Sequence, residues 1–499
     1  MLIQPARVES WQQRRIRTSQ IQRYMQGGRD FIDEGAITAA LAANRSPDPA
    51  RIRAIIAKSL AIETLTLDEA AALIHVDDPE LTVEMEAAAG EVKRRVYDNR
   101  VVTFAPLCLS NYCVNNCCYC GFRRENRTLP RRTLSMDQIR REVAVLAGRI
   151  GHKRLVAVYG EHPVSDIDYM LESIRTIYDA TLPGRSSEGR IRQVDVNAAP
   201  LAIEDLKRLH EAGIGTFQLF QETYHHAAYD RLHPSDTIKG NYPWRLYCMH
   251  RAFEAGIDDV GIGARFGLAD WRFEVLGLLA HARELEHAVG TGPRTISLPR
   301  LAPAEKAPFI HDTGLHVADA DFRRAVTVLR LAVPYTGMIL TARETAAVRR
   351  ALMPLGITQI DASSRIGVGA YGEDDAPDDP DHRRQFRLGD TRSLDTVVRE
   401  LAASGVIVSF CTAGRRCGRT GERIIDLLRS GREARFCKRN AVLTCREWLD
   451  DFATPETAAA VGPVLQQEID AIAREQPQTV GAFMDDYRRI CAGERDLYL

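Results

Sequence analysis

The chain has no long hydrophobic run, no excess of charge of either sign and no even set of cysteines, and each absence removes a class of protein. Across 499 residues, no apolar stretch approaches the ~20 residues that a membrane span needs. Arg7, Arg14, Arg15 and Arg17 interrupt the opening segment, where a secretory signal would carry its apolar core. The sequence therefore predicts a cytoplasmic protein with no membrane partner. Lysine plus arginine (66) and aspartate plus glutamate (67) cancel to a net charge of −1, so electrostatics gives no reason to expect a nucleic-acid partner. Eleven cysteines, an odd number, favour reduced thiols and metal ligation over a disulfide framework. What remains is ordinary globular bulk, 45% hydrophobic and 27% charged, enough for a large core.

Three thiols stand out. Cys113, Cys117 and Cys120 lie in Leu109-Ser-Asn-Tyr-Cys-Val-Asn-Asn-Cys-Cys-Tyr-Cys-Gly-Phe122 with C-x3-C-x2-C spacing. Three thiolates can hold three irons of a 4Fe-4S cube and leave the fourth open to a small molecule. A closed structural site normally takes four ligands. The blander alternatives are a zinc knuckle with a distant fourth ligand, or unrelated buried thiols.

Residues 1–100 read as a helical region, with amphipathic stretches at Leu67–Ile74 and Leu81–Tyr97. Over 101–371, eight short β-branched runs alternate with helical patterns: Val101–Leu109, Leu155–Tyr159, Gln193–Asn197, Thr216–Gln221, Asp258–Gly263, Thr295–Leu298, Gly337–Thr341 and Thr358–Ala362. Ser135-Met-Asp-Gln138 forms a capping box ahead of Ile139, Val143, Leu146 and Ile150 on one helical face, and Gly213 closes the helix that starts at Ile203. Eight such repeats predict an α/β protein, a (β/α)8 TIM-type barrel with an N-terminal helical extension. The acidic stretch 372–385 reads as a linker. Residues 386–499 read as a mainly helical C-terminal domain that carries Cys411, Cys417, Cys437, Cys445 and Cys491.

Groups that do chemistry in such a barrel project from the C-terminal ends of the strands. The residues there are polar: the cysteine loop, Gly160-Glu161-His162, Asn197, Glu222-Thr223-Tyr224, Arg265, Arg300, Thr341 with Arg343, and Ser363-Ser364-Arg365. A lone polar residue after a strand is usually a helix cap or turn former. Convergence on the rim that carries the thiols favours a site, in which arginines suit a carboxylate.

The loop Cys113-x3-Cys117-x-Tyr119-Cys120 resembles the radical S-adenosylmethionine (SAM) superfamily, whose open iron binds SAM. More narrowly, Gly160-Glu-His-Pro163, Phe220-Gln-Glu-Thr-Tyr-His225, His233-Pro-Ser235, Glu254–Gly263, Arg272-Phe-Glu274 and Ile296-Ser-Leu-Pro-Arg300 resemble the tyrosine lyases. That family contains 2-iminoacetate synthase and the FeFe-hydrogenase maturase HydG. The resemblance extends through Gln385–Asp395, Ser409–Ala413 and Gly418–Gly421 and is stronger to HydG. It implies a lyase that breaks the Cα–Cβ bond of an aromatic amino acid, L-tyrosine by expectation, with a 4Fe-4S cluster, SAM and an electron donor such as ferredoxin or flavodoxin. Carried over by motif, Cys113, Cys117 and Cys120 ligate the cluster. Tyr119, Gly160, Glu161 and Asn197 belong to the cofactor pocket, and Arg300, Glu222, Tyr224 and Arg265 are the substrate candidates.

Three departures from HydG matter. Its C-terminal cluster pattern C-x2-C-x22-C is here Cys411, Gly414 and Cys437, with Cys417 as a substitute ligand and Cys445 as a fourth candidate. A second cluster is thus either lost or re-ligated. Trp244-Arg245 takes the place of an aromatic-His pair that holds an extra iron, and arginine has no lone pair to give. Arg265 replaces an apolar residue, and is either an outward surface arginine or a moved carboxylate clamp. Alternatives to the single-cluster lyase are a complete maturase making CO and cyanide, and a non-catalytic iron–sulfur carrier. The carrier would not need Tyr119 or Gly160-Glu161.

Overall fold

The computed structural model describes residues 5–183, 188–304, 306–311, 314–372 and 385–499. Most of the acidic stretch expected to be a linker, 373–384, lies outside the described residues. All eight runs form strands in one parallel sheet: Arg100–Ser110, Arg154–Tyr159, Gln193–Asn197, Phe217–Gln218, Val260–Gly263, Thr295–Ser297, Gly337–Leu340 and Gln359–Asp361. The eighth strand pairs back onto the first, Val102 opposite Gln359 and Phe104 opposite Asp361, so the sheet closes into a barrel. Buried on both faces, these strands read as continuous apolar segments, as parallel strands do.

The local signals act as the chemistry requires. Ser135 Oγ accepts from the Gln138 backbone N–H and the Gln138 side chain accepts from the Ser135 N–H, starting the helix Met136–Val143. Ile139, Val143 and Leu146 are buried on its face. Gly213, at φ 82°, takes the left-handed conformation that ends the helix Ile203–Glu211. The N-terminal helices Leu67–Ile74 and Pro79–Tyr97 pack on the barrel's outer helices. Among the described residues no helix is long and apolar enough to cross a membrane, and all eleven cysteines are free thiols.

The C-terminal region holds one element that the helical reading missed. Ile407–Ser409 is a ninth strand, parallel to the first, with Arg100 opposite Ile407 and Val102 opposite Ser409. Val102 therefore has the eighth strand on one edge and the ninth on the other. The second strand pairs with the first only from Ala105 onward, so the ninth occupies the lower part of that edge. It delivers Cys411 to the N-terminal end of the barrel. Helices Gly421–Arg429, Arg432–Phe452, Pro455–Glu475 and Val480–Cys491 complete the region.

Candidate active site

Side chains alternate between the two faces of a strand, and the inward set at the C-terminal end lines one cavity of about 1320 Å³, its open mouth included. The parity is visible: Gln218, Phe220 and Glu222 line it from the fourth strand, Ser297 and Pro299 from the sixth, and Ile339, Thr341 and Arg343 from the seventh. Cys113, Cys117, Cys120, Gly160, Glu161, Asn197 and Arg265 face the same space.

The cysteine loop leaves the first strand at Ser110 and is held by its own backbone. Arg131 donates to the carbonyls of Asn111 (2.6 Å), Phe122 (2.8 Å), Arg123 (2.5 Å) and Asn126 (3.2 Å), so one guanidinium ties both ends of the loop. Val114 N–H donates to the Glu161 carbonyl at 2.9 Å. Gly160 passes so close that a side chain there would collide with the Tyr112 carbonyl, which is why the Gly-Glu pair needs its glycine. Gln385 donates to Cys120 Sγ at 3.4 Å and Asn115 to Cys113 Sγ at 3.7 Å. Among the described residues, no three His, Cys, Asp or Glu side chains converge on a point suited to a single metal ion. The three thiols border one common cavity.

Glu161 keeps one carboxylate oxygen without a hydrogen bond. Its Oε2 accepts from Asn115 Nδ2 at 2.6 Å, while Oε1 is buried with no hydrogen-bond partner and sees only Arg15 Nε at 4.0 Å. An unsatisfied buried carboxylate oxygen is costly, and an ammonium group arriving from the cavity would satisfy it. Arg15 comes from the N-terminal extension, a region whose sequence carries no cluster of catalytic residue types.

Glu222 anchors the opposite wall. It adopts φ 76°, a strained conformation for a non-glycine residue of the kind that collects at functional sites. Lys239 Nζ (2.7 Å) and Arg245 Nη2 (3.2 Å) pair with Oε1, and Arg265 Nε and Nη2 (both 3.1 Å) with Oε2. Burial opposes ionisation, but Lys239, Arg265 and Arg245 overcome it and hold the carboxyl well below the usual carboxylate range. Arg265 is therefore a buried cavity residue, not a surface arginine. Its guanidinium also lies 5.0 Å over the Tyr119 ring, and Lys239 lies 5.5 Å from that ring.

Tyr119 sits behind the cysteines rather than in the cavity lining. Its hydroxyl meets His233 Nε2 at 2.7 Å, and His233 Nδ1 lies 2.8 Å from the Tyr229 carbonyl. The carbonyl can only accept, so Nδ1 carries the proton, Nε2 accepts from Tyr119 and the imidazole is neutral. Burial holds His233 well below its ordinary pKa.

Two candidates need correction. Tyr224 is fully buried away from the cavity, its hydroxyl on His281 Nδ1 at 2.9 Å and its N–H on Glu274 at 3.0 Å. Arg300 also lies outside the cavity lining. It forks onto Glu344 and donates to Asp319 (2.7 Å) and the Val317 carbonyl (2.9 Å), leaving no edge for a substrate. Pro299 takes the inward parity, so its neighbour points out.

Arg343 is the arginine that parity does place inside. It is half-buried, with its guanidinium 3.1 Å from the Phe386 ring centroid and no hydrogen bond or ion pair among the described residues. Burial, then the nearby charge of Arg265, push it well below the ordinary arginine range, the mark of a cation missing its anion.

The C-terminal cysteines lie at the far end. Cys411 and Cys437 line a second cavity with Gly414, bordered by Arg100, Arg154, Arg294 and Asp259 at the N-terminal ends of the strands. Cys417 does not line it, and Cys445 is buried within the helix Arg432–Phe452. Arg245 belongs to the first cavity and not to this one, so its place near an extra iron at the second cluster is also corrected.

A (β/α)8 barrel with three thiols, a carboxylate oxygen that lacks a hydrogen bond and an unpartnered arginine around one cavity suits an iron–sulfur enzyme. The comparisons narrow that class. Residues 107–268 match the Radical SAM superfamily and residues 297–407 the Biotin and Thiamin Synthesis associated domain. The chain is 29% identical to the 2-iminoacetate synthase of Escherichia coli K12 over 375 residues, 74% of this chain and 93% of that one. A crystal structure of HydG, a maturase of the FeFe-hydrogenase, shares 42% identity with a TM-score of 0.89 over 94% of this chain and 100% of that chain. HydG of Carboxydothermus hydrogenoformans shares 36% with a TM-score of 0.75, over 95% and 99%. The chain belongs to the radical SAM family, in the tyrosine lyase group that these relatives represent. A 4Fe-4S cluster, SAM, a small amino-acid substrate and a reductant follow from that membership.

Proposed function

We propose that this chain is a radical SAM carbon–carbon lyase that converts L-tyrosine to 2-iminoacetate and p-cresol. The observation that carries the reading is the convergence on one cavity of three loop thiols, the unpaired Glu161 Oε1 and the unpartnered Arg343. Cys113, Cys117 and Cys120 would hold the cluster, whose chemistry when bound and reduced is to open SAM and release the hydrogen-abstracting 5′-deoxyadenosyl radical. The protein's own part is placement. Glu161 Oε1 receives the SAM ammonium, beside Gly160 and Asn197.

The substrate carboxylate is bound by Arg343 with Arg265 beside it, since a guanidinium fork binds a carboxylate bidentately. Glu222, held ionised by its three cations, keeps Arg265 and Lys239 in place. The apolar lining of Phe104, Val156, Val158 and Ile366 keeps water from the reacting bond. Ferredoxin or flavodoxin supplies the electron.

We further propose that a single cluster is bound. Two thiols, Cys411 and Cys437, face the second cavity, and two are too few for a cube that takes three or four protein ligands. Without it, the chain makes no iron-bound CO or cyanide. The test is anaerobic: reconstitute the full chain, count iron and sulfide, then add dithionite, SAM and single amino acids. About four irons per chain, with 5′-deoxyadenosine, p-cresol and glyoxylate from tyrosine and no CO, are expected. No 5′-deoxyadenosine from a chain with its cluster intact overturns the lyase reading, and CO trapped by deoxyhaemoglobin overturns the single-cluster one.

A further inference from the structure

The second cavity, of about 660 Å³ with its open mouth, has a wall unlike that of an ordinary barrel base. The N-terminal end of a (β/α)8 barrel normally serves stability, so its charges should be paired off. Here five guanidinium groups, from Arg100, Arg154, Arg294, Arg415 and Arg419, face two carboxylates, Asp259 and Glu433. Three of the arginines are engaged. Arg154 lies 3.7 Å from Asp195, Arg415 donates to the Gly213 carbonyl, and Arg419 pairs with Glu433 at 3.2 Å and donates to the Leu499 carbonyl. Glu433 is further used by the Cys437 thiol, which donates to it at 3.3 Å.

Arg100 and Arg294 are left. Arg100 is 5% exposed, and its side chain has no hydrogen bond or ion pair among the described residues. Its guanidinium lies 5.6 Å from the Tyr97 ring. Arg294 likewise makes no side-chain hydrogen bond or ion pair among the described residues. Arg100 Nε, Arg154 Nε and Arg294 Nη1 are all buried donors without an acceptor. Leaving one such donor unmade costs roughly 1–3 kcal/mol, more for a charged group; Asp259 and Glu433 attract Arg294 through space but make no hydrogen bond to it, and two carboxylates leave the five guanidinium groups in excess. A cavity rich in unmet donors and positive charge calls for a compact ligand made of acceptor oxygens.

We propose that this cavity is a binding site for a small oxyanion, a carboxylate or a phosphate, held by Arg100 and Arg294 where the relatives' pattern would place a second cluster. The inference rests on the single-cluster reading. Such an anion brings two to four acceptor oxygens to the donors that lack them, and its charge answers the excess of guanidinium groups. Arg100 opens the first strand and Arg294 directly precedes the sixth, so the ligand bridges two staves of the barrel that do not pair with each other.

The test uses the reconstituted full chain in a buffer free of oxyanions. Iron is counted, and inorganic phosphate and glyoxylate are titrated separately by calorimetry and by melting temperature. Saturable binding at ~1 mM or tighter is expected for at least one, weakened about tenfold or more in Arg100→Gln and in Arg294→Gln. Phosphate alone binding identifies an inorganic source, and glyoxylate alone a carboxylate one. A purely structural arginine pair would shift the melting temperature of the variants without changing their response to the anion. Failure to bind either probe, undiminished binding in both variants, or about eight irons per chain lost on Cys411→Ser would overturn the proposal. Binding that survives while tyrosine yields no p-cresol leaves this site standing and removes the lyase reading alone.

Discussion

At the C-terminal end of the barrel, Arg245 and Arg265 finish on Glu222 and the loop presents three thiols. At the N-terminal end, Arg100 and Arg294 make no side-chain hydrogen bond or ion pair among the described residues, and two thiols remain. The two cavities share one chemical vocabulary, thiols among guanidinium groups in a buried space, yet the balance differs. Where a third thiol is present, charge is pinned to a carboxylate, Arg343 is left without a hydrogen bond or ion pair among the described residues, and the space is the one proposed for a cluster and substrate. Where glycine stands in for the third thiol, guanidinium groups outnumber the carboxylates and two of them make no hydrogen bond or ion pair among the described residues, the imbalance that an oxyanion would answer. Ligand count, more than the presence of cysteine, decides what each end can do.

The sharpest way to break this contrast is to remove one thiol from each end. Cys117→Ala should lose the cluster and lower 5′-deoxyadenosine formation by about a thousandfold or more, while Cys411→Ala should keep p-cresol output within about twofold. Equal losses would mean that both ends carry a working cluster. Glu161→Gln should weaken SAM binding by about ten- to a hundredfold, the value of a charged hydrogen bond, read by equilibrium binding to the reconstituted chain. Arg343→Met should raise KM for tyrosine about tenfold or more and leave SAM affinity unaltered, whereas Arg300→Met should change KM little.

Gly414→Cys sharpens the comparison from the other side. A side chain there meets only the Arg419 carbonyl, at 3.7 Å, an ordinary contact. Iron should rise from about four to about eight per chain, and the oxyanion response should vanish with it.

The smallest effect concerns stability. Glu274 accepts from the Thr223 hydroxyl and the Tyr224 N–H, bracing the turn that sets Glu222, and burial raises its carboxyl to about 8. From about pH 4.5 to pH 8, the folded chain keeps a proton that the unfolded chain releases, so stability falls as pH rises through that window. Glu274→Gln should flatten this slope, and melting scans at either end of the window should differ by a few degrees less than in the parent chain.

Much of the frame was legible in the sequence. Eight buried parallel strands produce eight β-branched runs, and the box at Ser135 and the glycine at 213 mark helix ends by local chemistry alone. The ninth strand was not, because three residues inside a helical tail carry no period of their own. In the site, residues fixed by a tight loop were legible, while arginines after strands were not. Arg300 and Arg343 have the same composition signal, and only strand parity separates them: Pro299 and Arg343 point in, and Arg300 points out onto Glu344. Glu161's empty oxygen and the reach of Arg15 from the N-terminal extension depend on packing, which no motif records.

The pairing of Ile407–Ser409 with the start of the first strand bears on modularity. The first strand runs unbroken from Arg100 to Ser110, roughly 35 Å of chain at ~3.3 Å per residue, with one cavity at its foot and the cysteine loop at its head. Cutting the chain before residue 400 would strip the foot of a hydrogen-bonded neighbour and leave an open sheet edge, a template for unwanted pairing between molecules. The tail is this barrel's ninth stave, and this chain cut before residue 400 should come out as aggregate rather than as a smaller lyase.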